Sequence, residues 1–107
     1  MAFRIQYFAL EGQSESPVVR FIEDLPARFR AAILSDVERV AEYGLKSPVS
    51  IKGIKGHAPM FEIRTGSYRT FVVFDRGEVW VLNCCKKQEQ RRAIELAADR
   101  MELVLER

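Results

Sequence analysis

The chain has 107 residues, enough for one domain with a single hydrophobic core but too few for two. With 48% hydrophobic and 30% charged residues, its composition is that of a globular protein and not of a disordered tail. The formal net charge is +2, and apolar runs of about five residues are too short to cross a membrane. We therefore expect a single domain over residues 1–107 and, because the N-terminal segment does not resemble an export signal, a cytoplasmic protein.

The only two cysteines, Cys84 and Cys85, are adjacent. On a strand they point to opposite faces, and a disulfide between neighbouring residues is strained, so we expect buried free thiols. With a single histidine the chain also falls short of the four ligands that a zinc site needs. No metal and no other cofactor is therefore expected.

The first half of the chain predicts a strand followed by two helices. Apolar and polar residues alternate over residues 3–7, the two-residue period of a half-buried strand. Ser16 and Pro17 are typical of a helix start, and the apolar spacing that follows predicts a short helix up to Pro26. A second apolar stripe predicts a longer helix that ends at Gly44, so that the two helices form a hairpin on a sheet.

Residues 45–59 contain two prolines and two glycines and have no helical period. This composition predicts a mobile loop, which is also basic. It carries Lys52, Lys55 and His57, three side chains suited to contacts with a polyanion.

The second half predicts three antiparallel strands and a helix. Apolar runs cover 70–74 and 79–82 with a turn at Asp75-Arg76-Gly77, and 61–64 precede them. Because the two runs are apolar on both faces, they should be central strands. A helix from about Gln88 closes the chain, with a narrow apolar stripe of Ile94, Ala97, Ala98, Met101 and Leu105.

Together these elements predict an α+β fold. We expect a compact antiparallel sheet with a mixed edge at the N-terminal strand, and the helical hairpin packed on one face. The other face, with the C-terminal helix beside it, should carry the functional site. The charge distribution supports a site for a polyanion, since residues 46–76 hold six lysines and arginines against Glu62 and Asp75.

Several short motifs occur in an order that resembles one known family. They are Pro17-Val18-x-x-Phe21-Ile22-x-x-Leu25, Glu42-x-Gly44, Phe61-Glu62-Ile63-Arg64, Tyr68-Arg69 and Lys86-Lys87. In this order and spacing they resemble the RelE/ParE superfamily of toxins from type II toxin–antitoxin systems, and within it the phage-derived HigB-like branch. Each motif alone is weak, but the resemblance covers nearly the whole chain.

The resemblance implies an endoribonuclease that cuts messenger RNA on the ribosome and is held inactive by an antitoxin. The implied partner is a helix-turn-helix antitoxin of the HigA type, and operator DNA is contacted only through it. Arg69 matches the arginine that contacts the scissile phosphate in RelE-type enzymes, and Lys87 stands where they have a second catalytic arginine. Arg64 and Lys86 match basic positions of the HigB-like branch.

The chemistry implied needs no metal, because the ribose 2′-hydroxyl attacks the adjacent phosphate. It does need a base, an acid and cations that stabilise the phosphate. We predict Arg64, Arg69, Lys86 and Lys87 as the catalytic set, with RNA contacts from Lys52, Lys55, His57 and Tyr68. Which residue moves the proton stays open among His57, Glu62 and the lysines at 52, 55, 86 and 87.

The chain departs from the RelE pattern at three positions. Met60 and Glu62 stand where RelE-type enzymes have strand lysines, and Ala93 stands where they have a tyrosine. Two other functions therefore remain open: a catalytically inactive module that binds its antitoxin, and a ParE-like toxin that poisons gyrase.

Structural interpretations also remain open for the candidate residues. Arg64 and Glu62 could form an ion pair, Lys86 and Lys87 could be a solvated helix cap, and Tyr68 could belong to the core.

Overall fold

The computed structural model describes residues 2–107 as a five-stranded sheet with helices on both faces. The elements are β1 Arg4–Tyr7, α1 Pro17–Glu23, α2 Ala27–Tyr43, β2 Ser50–Gly53, β3 Phe61–Thr65, β4 Tyr68–Asp75, β5 Glu78–Lys86 and α3 Gln90–Leu105. Short 3-10 turns follow α2 at Gly44–Lys46 and precede α3 at Lys87–Glu89. The predicted α+β class is confirmed. None of the helices within 2–107 combines the length and hydropathy that a bilayer crossing requires.

The strands lie in the order β1-β5-β4-β3-β2. Strand β1 runs parallel to β5, while every other neighbouring pair is antiparallel, which confirms the mixed edge. The predicted central strands β4 and β5 are interior strands. The predicted turn between β4 and β5 is a tight two-residue hairpin turn. Its residues Arg76 and Gly77 have φ of 50° and 77°, and this type of turn requires positive φ.

Strand β2 corrects the prediction of an unstructured loop over 45–59. Residues 50–53 pair with β3, and Ile51 lies opposite Ile63, so the strand has an apolar partner on the sheet. Because it is only four residues long and stands at an edge, its sequence has too few alternations to reveal it. Lys52 is consequently on a strand and not in a mobile loop.

The helical hairpin covers one face of the sheet, as predicted. The Phe29 ring on α2 packs on Tyr68 of β4 with 5.4 Å between centroids, and Thr65 of β3 donates a hydrogen bond of 2.6 Å to Asp36. Ser16 caps α1, because its Oγ accepts from the amides of Val18 and Val19.

Helix α3 covers the opposite face of the sheet. The sequence predicts only that this helix lies beside that face. Asn83 of β5 donates to the carbonyl of Ala93, and the Arg107 guanidinium lies over the Trp80 ring at 4.4 Å. The helix starts at Gln90, two residues later than predicted, and its buried stripe is Ala93, Ala97, Met101 and Val104. Of the predicted stripe only Ala97 and Met101 are buried. The side of α3 that contacts the sheet is shifted by one residue along the chain from the predicted side.

Candidate functional site

Arg64 and Arg69 lie directly opposite each other on β3 and β4. Residues opposite in an antiparallel pair project from the same face, and here that face is the one that α3 covers. The next position along this row is Cys85 on β5, opposite Arg69. The strand pairing therefore brings two of the four predicted catalytic cations together.

A buried carboxylate holds Arg64. Glu62 is 1% exposed, and its Oε2 accepts a hydrogen bond of 3.1 Å from the Nε of Arg64. Its Oε1 accepts one of 2.6 Å from Nε2 of Gln90, the first residue of α3. Glu62 and Arg64 thus form the structural ion pair that the sequence left open, and the pair anchors the start of α3 to the sheet.

Arg69 is buried, with 7% of its surface exposed. Its Nη1 donates to the carbonyls of Gly66 at 2.8 Å and Tyr68 at 2.9 Å, both at the β3–β4 turn. Its Nε is buried without a hydrogen-bond partner. Within 2–107 no carboxylate forms an ion pair with this guanidinium, so it retains its capacity to bind an anion.

Lys86 and Lys87 lie at the same end of the sheet. Lys86 is opposite Tyr68, so its side chain starts from the face of the helical hairpin and not from the face of Arg64 and Arg69. The amide of Lys87 donates a hydrogen bond of 2.8 Å to the carbonyl of Ser67 in the β3–β4 turn. Both lysines are exposed. The four cations consequently share one end of the sheet, although they lie on two faces of it.

The four residues predicted to contact RNA are divided by the fold. Lys52 lies opposite Glu62 on the face of Arg64. Lys55 and His57 are in the turn between β2 and β3, at the far end of β3 from Arg64. Tyr68 is 7% exposed and packs on Phe29, as in the core alternative. Only Lys52 is exposed on the same face as the two arginines.

A cleft beside these cations was not anticipated from the sequence. It has a volume of about 570 Å³, and it lies between β5 and the first turns of α3. Its lining includes Cys85, Glu89, Arg91, Arg92 and Leu96. The two adjacent arginines, Arg91 and Arg92, follow Lys87 by four and five residues and could have been noticed in the sequence as further cations. That they line a cleft is known only from the position of α3 on the sheet.

The two thiols beside the site are not reactive groups. Burial raises the pKa of Cys85 to about 12, with smaller contributions from Cys84 and Glu89, while Arg69 acts in the opposite direction. Burial also raises the pKa of Cys84 to about 11. Both cysteines are therefore protonated at neutral pH and serve as core residues, as expected.

The architecture is similar to that of RelE proteins solved together with RelB. An antitoxin–toxin complex from Methanococcus jannaschii matches with a TM-score of 0.61 and 18% identity, over 81% of this chain and 95% of that one. RelBE2 from Mycobacterium tuberculosis matches with a TM-score of 0.62 and 19% identity, over 80% of this chain and 99% of that one. RelE-RelB from Pyrococcus horikoshii OT3 matches with a TM-score of 0.64 and 14% identity, over 81% of this chain and 97% of that one. The fold is thus a RelE toxin fold.

The sequence itself identifies a narrower group. Residues 20–102 match the family described as phage derived protein Gp49-like (DUF891). The chain belongs to this family. A search of curated proteins by sequence gives no match.

Proposed function

We propose that the chain is the toxin of a type II toxin–antitoxin system and that it cleaves messenger RNA. The observation that supports this most is the direct pairing of Arg64 and Arg69 across β3 and β4, with Lys86 and Lys87 at the same end of the sheet. Clustered cations stabilise the charge that develops on a phosphodiester during cleavage. Two like charges directly opposite on neighbouring strands also repel each other, and a bound phosphate would relieve that repulsion.

In this mechanism the ribose 2′-hydroxyl attacks the adjacent phosphate, and the 5′-oxygen leaves. Arg64 and Arg69 bind the non-bridging oxygens, for which planar guanidinium groups are well suited. Arg69 then exchanges its hydrogen bonds with the turn carbonyls for hydrogen bonds with the phosphate. Lys52, on the same face, contacts the RNA backbone.

The geometry narrows the choice of the residues that transfer the proton. Glu62 is buried, and both of its oxygens accept hydrogen bonds, so it is unsuited to be the base. His57 and Lys55 lie at the far end of β3. Lys87 is exposed, and its amide is bonded to the β3–β4 turn that Arg69 also contacts, so we assign proton transfer to Lys87. Lys86, which starts from the other face of the sheet, is assigned to contacts with more distant RNA, together with His57 and Lys55.

The proposed partners are an antitoxin with a helix-turn-helix domain of the HigA type and mRNA in the ribosomal A site. The solved proteins with this fold were crystallised as antitoxin–toxin complexes, which supports an antitoxin. In this proposal operator DNA is bound through the antitoxin, and the protein acts in the cytoplasm.

A second candidate is an antitoxin-binding module without nuclease activity. It is favoured by one specific observation: Glu62 partly neutralises Arg64, and Arg69 is buried and bonded to backbone carbonyls. Under this candidate the two arginines maintain the structure of the β3–β4 turn only.

The two candidates are separated by inducing wild type, Arg69→Ala and Arg20→Ala in bacteria and mapping mRNA ends on ribosomes. Arg20 is a matched control, because it forms a surface ion pair on α1, away from β3 and β4. The nuclease proposal expects growth arrest and new mRNA ends with wild type and Arg20→Ala, and neither with Arg69→Ala. Absence of new ends with wild type would contradict it.

A further inference from the structure

We propose that Glu62 and Gln90 are positioning residues of the cleavage reaction. Gln90 fixes the buried carboxylate of Glu62, and Glu62 in turn fixes the guanidinium of Arg64 in the orientation that binds the scissile phosphate. This inference rests on the proposed function, because it specifies how one member of that site is oriented. Neither positioning residue contacts the RNA.

Arg64 is held at one end of its guanidinium group and open at the other. Its Nε donates the hydrogen bond of 3.1 Å to Oε2 of Glu62, and within 2–107 neither Nη1 nor Nη2 has an acceptor. These two terminal nitrogens form the planar fork that can bind two oxygens of one phosphate. The Arg64 side chain is 42% exposed, so a ligand can reach it. The contact with Glu62 therefore leaves the phosphate-binding part of the group free.

A side chain as long as that of arginine needs such a contact to keep one orientation. A free arginine has many rotamers, and binding a phosphate would have to select one of them. A guanidinium that is fixed in advance binds at a lower entropic cost and in a defined direction. Arg69 is fixed by the carbonyls of Gly66 and Tyr68. Glu62 has the corresponding role for Arg64.

Glu62 is itself positioned by Gln90. Its Oε1 accepts the hydrogen bond of 2.6 Å from Nε2 of Gln90, the shorter of the two hydrogen bonds to this carboxylate. A carboxylate that is bonded at both oxygens cannot rotate without breaking one of these bonds. Without the amide of Gln90, Oε1 would be buried and unpaired, which favours rotation of the carboxylate and releases Arg64.

Stability alone does not account for a carboxylate at this position. Glu62 is 1% exposed and lies directly opposite Phe71, which is fully buried, so an apolar side chain would suit these surroundings. A buried ion pair adds little net stability compared with well-packed apolar side chains of similar volume. An orienting role toward Arg64 gives a reason for the buried charge.

The attachment of α3 to the sheet does not depend on Gln90 alone. The buried Ala93 lies on the sheet side of the helix, and its carbonyl accepts a hydrogen bond from a side chain of β5. The amide of Lys87 is bonded to the β3–β4 turn. Loss of the Gln90 amide should therefore leave α3 and Lys87 in place and act on the pair of Glu62 and Arg64.

The test is a double-variant cycle in the cleavage of a short mRNA on purified ribosomes. Gln90→Ala should lower the maximal single-turnover rate by about 10- to 100-fold. The ribosome concentration at half-maximal rate should stay unchanged. In the Arg64→Ala background the same change should have no further effect, because Gln90 acts through Arg64. Rates are compared under conditions in which urea unfolding shows every variant folded.

Gln6→Ala is the matched control for Gln90→Ala. Gln6 likewise donates its side-chain amide to a carboxylate, that of Glu78 at 2.9 Å, but Glu78 is the first residue of β5 and lies at the other end of the sheet. This variant should cleave like wild type.

An exchange of the two side chains tests whether the hydrogen bonds can be restored. Gln90→Glu places a second carboxylate against Glu62 and should slow cleavage. Adding Glu62→Gln should restore most of the rate, because the new amide can accept from Nε of Arg64 and donate to the new carboxylate.

The orientation of Arg64 can also be observed without cleavage. In the wild-type chain the Nε proton of Arg64 should give a distinct NMR signal that exchanges slowly with water, because it is donated to a buried carboxylate. Its absence in Arg64→Ala assigns the signal. In Gln90→Ala the exchange should be about 10-fold faster, and in Gln6→Ala it should be unchanged.

Three results would overturn the inference and leave the proposed function intact. The first is a wild-type rate in Gln90→Ala. The second is the same loss of rate when Gln90→Ala is added to the wild type and to Arg64→Ala, as a role in structure alone would give. The third is equal exchange of the Arg64 proton in wild type and Gln90→Ala. Absence of cleavage by the wild-type chain would instead remove the proposed function and this inference together.

Discussion

Arg64 on β3 stands directly opposite Arg69 on β4, and the two share one side of the sheet. Glu62 forms an ion pair with Arg64 alone and leaves Arg69 without a carboxylate partner in the described chain. The positive charge of the pair is thus only half compensated. This imbalance is the electrostatic property that a phosphate site needs.

Removing the accessible member of the pair should reduce cleavage without abolishing the fold. Arg64→Ala is expected to lower the rate of mRNA cleavage by about 10²–10³, the usual cost of losing one donor to a developing oxyanion. The rate is measured with purified ribosomes and a short mRNA. Arg4→Ala serves as the control, because Arg4 forms an exposed ion pair with Glu78 at the other end of the sheet. Equal rates for all three proteins would remove Arg64 from the mechanism.

The same arginine should contribute to stability through Glu62. Arg64→Ala leaves a buried carboxylate with only Gln90 as a partner, so we expect the free energy of unfolding at pH 7 to fall by about 1–3 kcal/mol. The value stays below that of a fully buried pair, because 42% of the Arg64 side chain is exposed.

The double variant Arg64→Ala/Glu62→Gln provides the decisive comparison. A neutral amide is less costly to bury without a cation, so the double variant should be more stable than Arg64→Ala alone. Urea unfolding measures both. A double variant that is less stable than either single variant would show that the ion pair is not the cause.

Stability should fall at alkaline pH because of the two thiols. Their pKa values are raised to about 11 for Cys84 and about 12 for Cys85, against an ordinary 9.0. Above pH 9 the unfolded chain releases these protons while the folded chain keeps them, so the free energy of unfolding decreases as the pH rises from 9 to 11.

The variant Cys84→Ala/Cys85→Ala should show a smaller decrease over the same interval. Unfolding in urea at several pH values gives both slopes. Reaction of the native thiols with a disulfide reagent at pH 8 should also be slow and should accelerate on unfolding. Rapid labelling of the native chain would contradict the assignment of the cysteines to the core.

Replacing Ser16 should lower the free energy of unfolding more than replacing an exposed serine. Its Oγ caps α1 and donates a hydrogen bond of 2.5 Å to the carbonyl of Phe8, so it connects the end of β1 to the start of the helix. We expect Ser16→Ala to lower the free energy of unfolding by about 1–2 kcal/mol. Ser35→Ala, at an exposed position within α2, should have no cost or a slight gain, since alanine has the higher helix propensity. Equal effects of the two changes on urea unfolding would argue against the cap.

The helices and the interior strands could be predicted because their signals are local. The Ser16-Pro17 start, the stripe of α2 and the apolar runs of β4 and β5 each span enough residues to show a period. Strand β2 could not, since four residues at an edge show too few alternations and depend on pairing with β3. The burial of Tyr68 under Phe29 is a non-local contact, which no local pattern around either residue reveals.

For the candidate site, the sequence by itself determined the residue types, the family resemblance and the order of the cations along the chain. Only the tertiary structure decided their surroundings. Arg64 is bound by Glu62, Arg69 donates to a carbonyl of the β3–β4 turn, and Lys86 lies on the opposite face. It also decided that α3 lies over the site and leaves a cleft beside it. The physical reason is that the order of charged residues is a property of the sequence alone, whereas burial and pairing depend on strand register and on which helix face contacts the sheet.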